Sequence, residues 1–296
     1  MKIAVGASSF GDTDSEVMEI LKSKGIDVAK NPYGRKMNQE EIIKHLQGAD
    51  GLLAGLEPLN EEVFAQCPDL KAIARIGIGM DNVDQEAAAR HKIRVSNTPE
   101  GPTNAVAEMT LTVLLAICHN LVDANEDVHN GIWKKRMGRS IRGLKVLVIG
   151  YGHIGRRTAE LLKGLGAEIS VYDKYMPEVS MYSLEQGIAQ ADVITLHASG
   201  KEEILSREVI NQMKEGVVIL NSARGGLINE QALYDALKSN KVAVFWGDAL
   251  WEEPYEGIIK DCKNAILTPH ICTYTTSCRA SMEKQAVENL LGDLGL

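Results

Sequence analysis

Residues 145–155 read Lys145-Val-Leu-Val-Ile149-Gly150-Tyr-Gly152-His-Ile-Gly155, and 18 residues beyond Gly155 stands Asp173. The first five residues form an apolar, β-branched strand that ends at a glycine. A helical pattern takes over across 154–165. A strand running through a glycine loop into a helix is the frame on which a pyrophosphate is held. Gly150 permits the tight turn, Gly152 lets backbone approach the phosphates, and Gly155 lets helix and strand pack closely. The helix N-terminus, with His153 and Ile154, offers N–H groups that have no partner within the helix. Asp173 ends the next strand, at the spacing expected of the acid that binds ribose hydroxyls. A carboxylate there repels a 2′-phosphate, so the pattern predicts NAD rather than NADP.

Working outward, short β-branched runs alternate with helical segments along the whole chain, the pattern of an α/β protein with parallel sheets. Strands are expected over residues 2–6, 27–30, 51–54, 72–76 and 94–96. A second series follows over 145–149, 168–172, 192–196, 217–220, 242–246 and 265–267. This predicts two doubly wound parallel-sheet domains, Rossmann or flavodoxin-like, with a cleft between them. The join is breaker-rich: Asn97-Thr-Pro-Glu-Gly-Pro-Thr103 precedes an expected apolar helix over 104–121, and a polar stretch spans 131–138.

The chain has 296 residues, 45% hydrophobic and 24% charged, enough for a sizeable core. Its net charge of −8 argues against nucleic acid or an anionic membrane as a partner, because phosphate affinity rests on Lys and Arg. No signal-peptide pattern opens the sequence. The longest apolar stretch, within 105–118, reads as a buried helix too short to span a membrane. Five cysteines at irregular spacing predict free thiols in a reducing, cytoplasmic setting. Cys262, His270, Cys272 and Cys278 lack the paired spacing of a zinc site, so no metal is expected.

The ordered motifs identify a resemblance. Arg75-Ile-Gly-Ile-Gly-Met-Asp-Asn-Val-Asp84, Thr103-Asn-Ala-Val-Ala-Glu108, the Gly150 loop, Asn221-Ser-Ala-Arg-Gly-Gly226, Asp248-Ala-Leu-Trp-Glu-Glu-Pro254 and Thr268-Pro-His-Ile271 occur in sequence over nearly the whole chain. Together they resemble the D-isomer-specific 2-hydroxyacid dehydrogenases, of the phosphoglycerate or glyoxylate/hydroxypyruvate type. That resemblance implies NAD-dependent hydride transfer to and from C2 of a small 2-oxo or D-2-hydroxy acid. It implies a catalytic trio of Arg224, Glu253 and His270. The chemistry needs those residue types: Arg grips a carboxylate bidentately, His gives a proton near neutral pH, and a carboxylate orients and charges the imidazole.

By the same resemblance, Thr103, Ser222, Ala223 and Asp248 contact the cofactor, with Asp248 bonding the nicotinamide amide. Arg75 and the backbone of Gly77, Ile78 and Gly79 meet the substrate. Arg75 matches a phosphate-contacting Arg of phosphoglycerate enzymes, but Gly55-Leu56-Glu57-Pro58 replaces the basic residue of the earlier loop. Cys272 stands where the family usually has Gly, and Ser199-Gly200 where Pro is common. His197 reads as structural. The implied domains are 1–98 plus 277–296 for substrate and 99–276 for NAD. The helix after the linker and the Trp133 segment imply a homodimer. Two rivals share the fold: an NAD-sensing corepressor-like binding protein, and a formate or phosphite dehydrogenase. Formate-type sites pair the His with Gln, where this chain has Glu253.

Overall fold

A computed structural model describes residues 1–12, 16–200 and 202–296. All eleven expected strands are present, with no end moved by more than one residue. One parallel sheet comprises β1 (Lys2–Val5), β2 (Asp27–Ala29), β3 (Gly51–Ala54), β4 (Ala72–Arg75) and β5 (Arg94–Asn97), in the order β2-β1-β3-β4-β5. The other comprises β6 (Lys145–Ile149), β7 (Glu168–Tyr172), β8 (Val193–Leu196), β9 (Val217–Asn221), β10 (Val242–Gly247) and β11 (Ala265–Leu267). Its order is β11-β10-β9-β8-β6-β7, again parallel throughout. Strands β3, β8 and β9 are buried at every residue. Both faces of such a sheet are covered, which is why these strands read as unbroken apolar runs.

Both sheets reverse direction beside their first strand: the chain passes from β2 back across β1 to β3, and from β7 back across β6 to β8. At such a reversal the crossovers leave opposite faces, and a crevice opens at the carboxyl ends of the strands. Gly6 and Gly55 follow β1 and β3 there, and Gly150 and His197 follow β6 and β8.

The chain forms two compact units, Met1–Pro102 with Thr273–Leu296, and Thr103–Cys272. In the first, the helix Thr276–Leu294 packs on β3, β4 and β5. Gly51 makes room for it, since a Cβ at that position would lie 3.1 Å from Leu294. Thr275 starts the helix by accepting the Cys278 N–H. In the second unit, one apolar cluster centres on Leu147, Ile194, Ile219 and Phe245. Another, on the opposite face, holds Val146, Val148, Val218 and Trp246.

One expectation is corrected. The apolar helix starts earlier than 104, as Glu100–Cys118, and a second helix, Leu121–His129, follows it. Pro102 does not delay the start, because a first-turn N–H has no helical partner to lose. Asn120, at φ 50°, separates the two helices. The 19 residues of the first are long and apolar enough to cross a membrane by length and composition, so shortness does not exclude that. Packing accounts for the apolarity instead: Val106, Val113, Leu114 and Cys118 join the core around Val146 and Trp246.

Candidate active site

The glycine loop at the end of β6 is built on backbone-to-backbone contact. Gly150 has φ 90°, and a Cβ there would meet the Ala198 nitrogen at 2.5 Å. A Cβ on Gly155 would lie 2.0 Å from the Gly150 carbonyl oxygen. Above Gly152, by contrast, nothing lies within 4 Å of where a Cβ would sit. Gly152 caps the helix His153–Gly164 without a side-chain hydrogen bond, leaving first-turn N–H groups to an outside acceptor. Asp173, nearly buried, accepts the Tyr151 N–H at 2.7 Å, the Tyr175 N–H at 2.8 Å and the Met176 N–H at 3.1 Å. Those three bonds fix the carboxylate beside the loop. An open cradle over uncapped N–H groups, with a fixed acid at its edge, fits the pyrophosphate and ribose of NAD.

The ends of β8 and β9 are tied together by His197. One ring nitrogen bonds Thr195 Oγ1 at 2.9 Å and the other Ser222 Oγ at 3.2 Å. Part of His197 reaches solvent, yet the surrounding protein desolvates the ring enough to push its pKa down to about 3. It is therefore a neutral imidazole that orients Ser222. Asn221 is fully buried and clamps the following turn, accepting the Ala223 N–H at 3.0 Å and donating to the Arg224 carbonyl at 2.8 Å. Thr103 stands in the first turn of the helix Glu100–Cys118.

Glu253 and His270 meet: His270 Nδ1 lies 2.8 Å from Glu253 Oε1. That bond is the main reason the Glu253 carboxyl sits below its ordinary pKa; burial opposes it, and the charges of His270 and Arg224 assist. Glu253 is therefore an anion at neutral pH, and its pull on His270 fades only as acid protonates it below 4.5. Trp251 anchors the Glu253 loop by donating to the Ile228 carbonyl at 2.9 Å and packing between Phe245 and Tyr255. Tyr255 in turn bonds Glu230. His270 has φ 55°, a left-handed conformation that costs a non-glycine residue about 1–2 kcal/mol. Its N–H donates to the carbonyls of Asp248 at 2.9 Å and Thr268 at 3.0 Å. The residues expected to form a trio thus gather at the carboxyl ends of β9, β10 and β11.

In the first unit, the loop after β4 departs from expectation at one residue. The Gly77 N–H donates to the buried Thr98 Oγ1 at 2.7 Å, and its carbonyl accepts the Thr98 N–H at 3.1 Å. Among the described residues, the Ile78 and Gly79 N–H groups have no acceptor. Of the three N–H groups expected to meet a carboxylate, the Gly77 N–H is thus turned to Thr98, and those of Ile78 and Gly79 are left to an outside acceptor. The Arg75 guanidinium folds over Gly77, whose missing Cβ would lie 1.5 Å from Arg75 Nη1.

Three features are absent from the sequence reading. Glu57 is fully buried at the reversal point of the first sheet. Its carboxylate accepts the Gly55 N–H at 2.9 Å and fills the space where a Gly6 side chain would stand; burial raises its pKa. Two glycines flanking a lone acid at strand ends were the available signal. Thr98 and the pair Trp246–Thr268 left none, because each acts across more than twenty residues. All five cysteines are free and buried. No group of three or more His, Cys, Asp or Glu is placed to hold a metal ion among the described residues.

Comparison with known proteins gives the same picture. Residues 111–272 match the family model described as D-isomer specific 2-hydroxyacid dehydrogenase, NAD binding domain. A hydroxypyruvate reductase of Blautia hydrogenotrophica is 34% identical over 86% of this chain and 84% of its own. A D-3-phosphoglycerate dehydrogenase of Archaeoglobus fulgidus is 30% identical over 93% of this chain, which spans only 55% of that longer relative. A crystal structure of a Thermus thermophilus protein superposes with TM-score 0.90 at 31% identity, covering 100% of this chain and 97% of that one. The chain belongs to the D-isomer specific 2-hydroxyacid dehydrogenase family and is an NAD-dependent oxidoreductase of 2-hydroxy acids.

Proposed function

We propose that the chain reduces a small 2-oxo acid of the hydroxypyruvate, glyoxylate or phosphohydroxypyruvate kind to its D-2-hydroxy acid, and catalyses the reverse. The observation that carries this is the 2.8 Å bond between His270 and an ionised Glu253. NAD supplies the hydride chemistry when bound. His270 gives a proton to the substrate oxygen as negative charge develops on it. Glu253 holds the imidazole ring in orientation and favours its charged form. Arg224 presents a planar fork of donors to the carboxylate and the carbonyl oxygen. The Ile78 and Gly79 N–H groups, near Arg75 and Gly77, receive the substrate carboxylate. Gly150, Gly152, Gly155, His153 and Ile154 receive the pyrophosphate, Asp173 the ribose, and Thr103, Ser222 and Ala223 the nicotinamide side. The first unit serves as substrate domain and the second as cofactor domain.

The test is loss of NADH absorbance against glyoxylate, hydroxypyruvate, pyruvate, bulkier oxo acids and phosphohydroxypyruvate, repeated with NADPH. Turnover of one or more of them with NADH is expected. Silence across the panel with tight NADH binding would instead favour a binding protein that senses NAD. Turnover of formate or phosphite alone would favour that dehydrogenase chemistry on the same fold.

Because Glu253 works as an anion and the bond to His270 holds its carboxyl below the ordinary 4.5, turnover is expected to persist from neutral pH into mild acid and to fall only as Glu253 is protonated below that value. Glu253→Gln, which cannot ionise, is expected to turn over less and to lack that acid limb. A limb left in place, measured as kcat against pH at saturating NADH, would remove Glu253 from the dyad.

We also place the protein in a reducing compartment, the cytoplasm, on the strength of five unpaired cysteines. The segment after residue 114 supports a homodimer. It leaves Leu121, Val122, Val128, Ile132, Trp133 and Met137 exposed, the last two at 87% and 96%. An apolar patch of this kind marks an interface. Light scattering is expected to give twice the chain mass, and Trp133→Ser with Met137→Ser to shift it towards the monomer. A monomeric wild type at micromolar concentration would refute the assignment.

A further inference from the structure

Glu57 serves neither the hydride nor the proton step, yet it is fully buried where the first sheet reverses direction. A carboxylate kept from water must be held by donors and charges of the protein. The Gly55 N–H donates to both of its oxygens, at 2.9 and 3.2 Å. The side chain turns back over the ends of β1 and β3. It stands where a Gly6 side chain would be, and a Cβ on Gly55 would lie 3.0 Å from Oε2. Burial raises its pKa, while the backbone bonds and the charges of Arg75 and Lys36 act in the opposite sense. Those bonds and charges favour the anion.

The acid is built into the same surface as the substrate loop. Strands β3 and β4 are neighbours, with Ala54 abreast of Arg75, and the Ile76 N–H donates to the Ala54 carbonyl at 2.9 Å. Beyond the strand ends, Asn82 Nδ2 donates to the Glu57 carbonyl at 2.7 Å and to the Gly55 carbonyl at 3.3 Å. The Leu59 N–H returns a bond to the Asn82 carbonyl at 2.8 Å. The loop that carries Ile78 and Gly79 is thus tied to the loop that carries Glu57. The groove beside these loops, lined by Lys36, Leu56, Pro58, Asn60, Asp81 and Asp84, sets two acids against one base. A simple oxo acid brings one carboxylate, which the Ile78 and Gly79 N–H groups receive. A phosphorylated one brings a second anionic group into a region where a buried acid already draws on the charge of Arg75. Away from water, the field of Glu57 is screened less than that of a surface charge. We propose that Glu57 is a specificity-determining residue: it balances Arg75 and turns away substrates whose side chain carries a second negative group, so the chain acts on an unphosphorylated 2-oxo acid such as hydroxypyruvate or glyoxylate. The selection works by raising the free energy of the unwanted complex rather than by tightening the wanted one.

This selectivity rests on the oxo-acid reading of the function, and the test separates the two. With NADH and the full chain, kcat/KM is measured for phosphohydroxypyruvate and for the better of hydroxypyruvate and glyoxylate, in wild type, Glu57→Gln and Glu57→Ala. The ratio is the readout. A loosened loop lowers both substrates alike, whereas a removed charge moves one against the other. Wild type is expected to favour the unphosphorylated substrate by about tenfold or more. Both variants are expected to lower that ratio by about threefold or more, chiefly through KM for phosphohydroxypyruvate. If neither variant folds, the wild-type ratio decides. A smaller wild-type preference, or a preference for phosphohydroxypyruvate, overturns the proposal and leaves the oxo-acid reading intact. So does a ratio that stays unmoved in a folded variant. Silence of the wild type on every oxo acid defeats the functional reading, and the selectivity with it.

Discussion

His270→Ala is expected to cut oxo-acid turnover by about 10²–10⁴-fold, the usual contribution of a positioned general acid, while NADH still binds. The imidazole is the group 2.8 Å from an ionised carboxylate at the end of β11. Removing it takes away the proton that must reach the substrate oxygen as hydride arrives. Alanine also leaves Glu253 as a lone negative charge beside the developing alkoxide, which places the loss toward the upper end of that range. The cofactor loop lies at the end of a different strand, β6, so NADH affinity is expected to stay near wild type. Single-turnover mixing separates the two quantities. Turnover of His270→Ala within tenfold of wild type would remove it from the chemistry.

The second large effect belongs to Gly155→Ala. The new Cβ would lie 2.0 Å from the Gly150 carbonyl oxygen. Both groups are backbone, so no side chain can yield; the helix His153–Gly164 must lift from β6 and carry its first-turn N–H groups with it. Overpacking of this kind costs about 1–3 kcal/mol, equivalent to roughly 5–150-fold in affinity if it falls on the bound state. NADH binding is expected to weaken by about fivefold or more, with a lowered Tm. Gly152→Ala is the control that divides folding from binding. Its φ of −71° suits alanine, and nothing lies within 4 Å of the added carbon. Its Tm should therefore hold, and any loss of NADH affinity reports space that the cofactor needs. A Gly155→Ala protein that binds NADH within threefold of wild type would mean the loop does not hold the pyrophosphate.

The strands were legible because a strand covered on both faces must be apolar throughout, and because its end is marked by Gly, Asn, Asp or His. Arg224, Glu253 and His270 were legible as motif residues following such ends. The start of the helix Glu100–Cys118 was not. Proline and glycine usually punctuate a chain, but a proline in the first helical turn forfeits no hydrogen bond, so composition misplaces that boundary. The second helix, Leu121–His129, was hidden for another reason: none of its residues is buried, so no core-facing stripe distinguishes it.

Polar side chains divide along the same line. Local order follows from residues that are neighbours in the chain: the 3.6- and 2-residue periods, the glycine turn, and the Asp173 carboxylate over the Tyr175 and Met176 N–H groups. These settle the fold and the cofactor loop, because backbone sterics and burial act over a few residues. Which polar groups remain available to a ligand depends on partners brought up by folding. Thr98 takes the Gly77 N–H from 21 residues away, and Thr268 reaches the Asp248 carboxylate from 20. Hydrogen-bonding capacity is finite and buried donors must be satisfied, so the packing of distant strands, rather than the motif around the residue, decides what Gly77 can still bind.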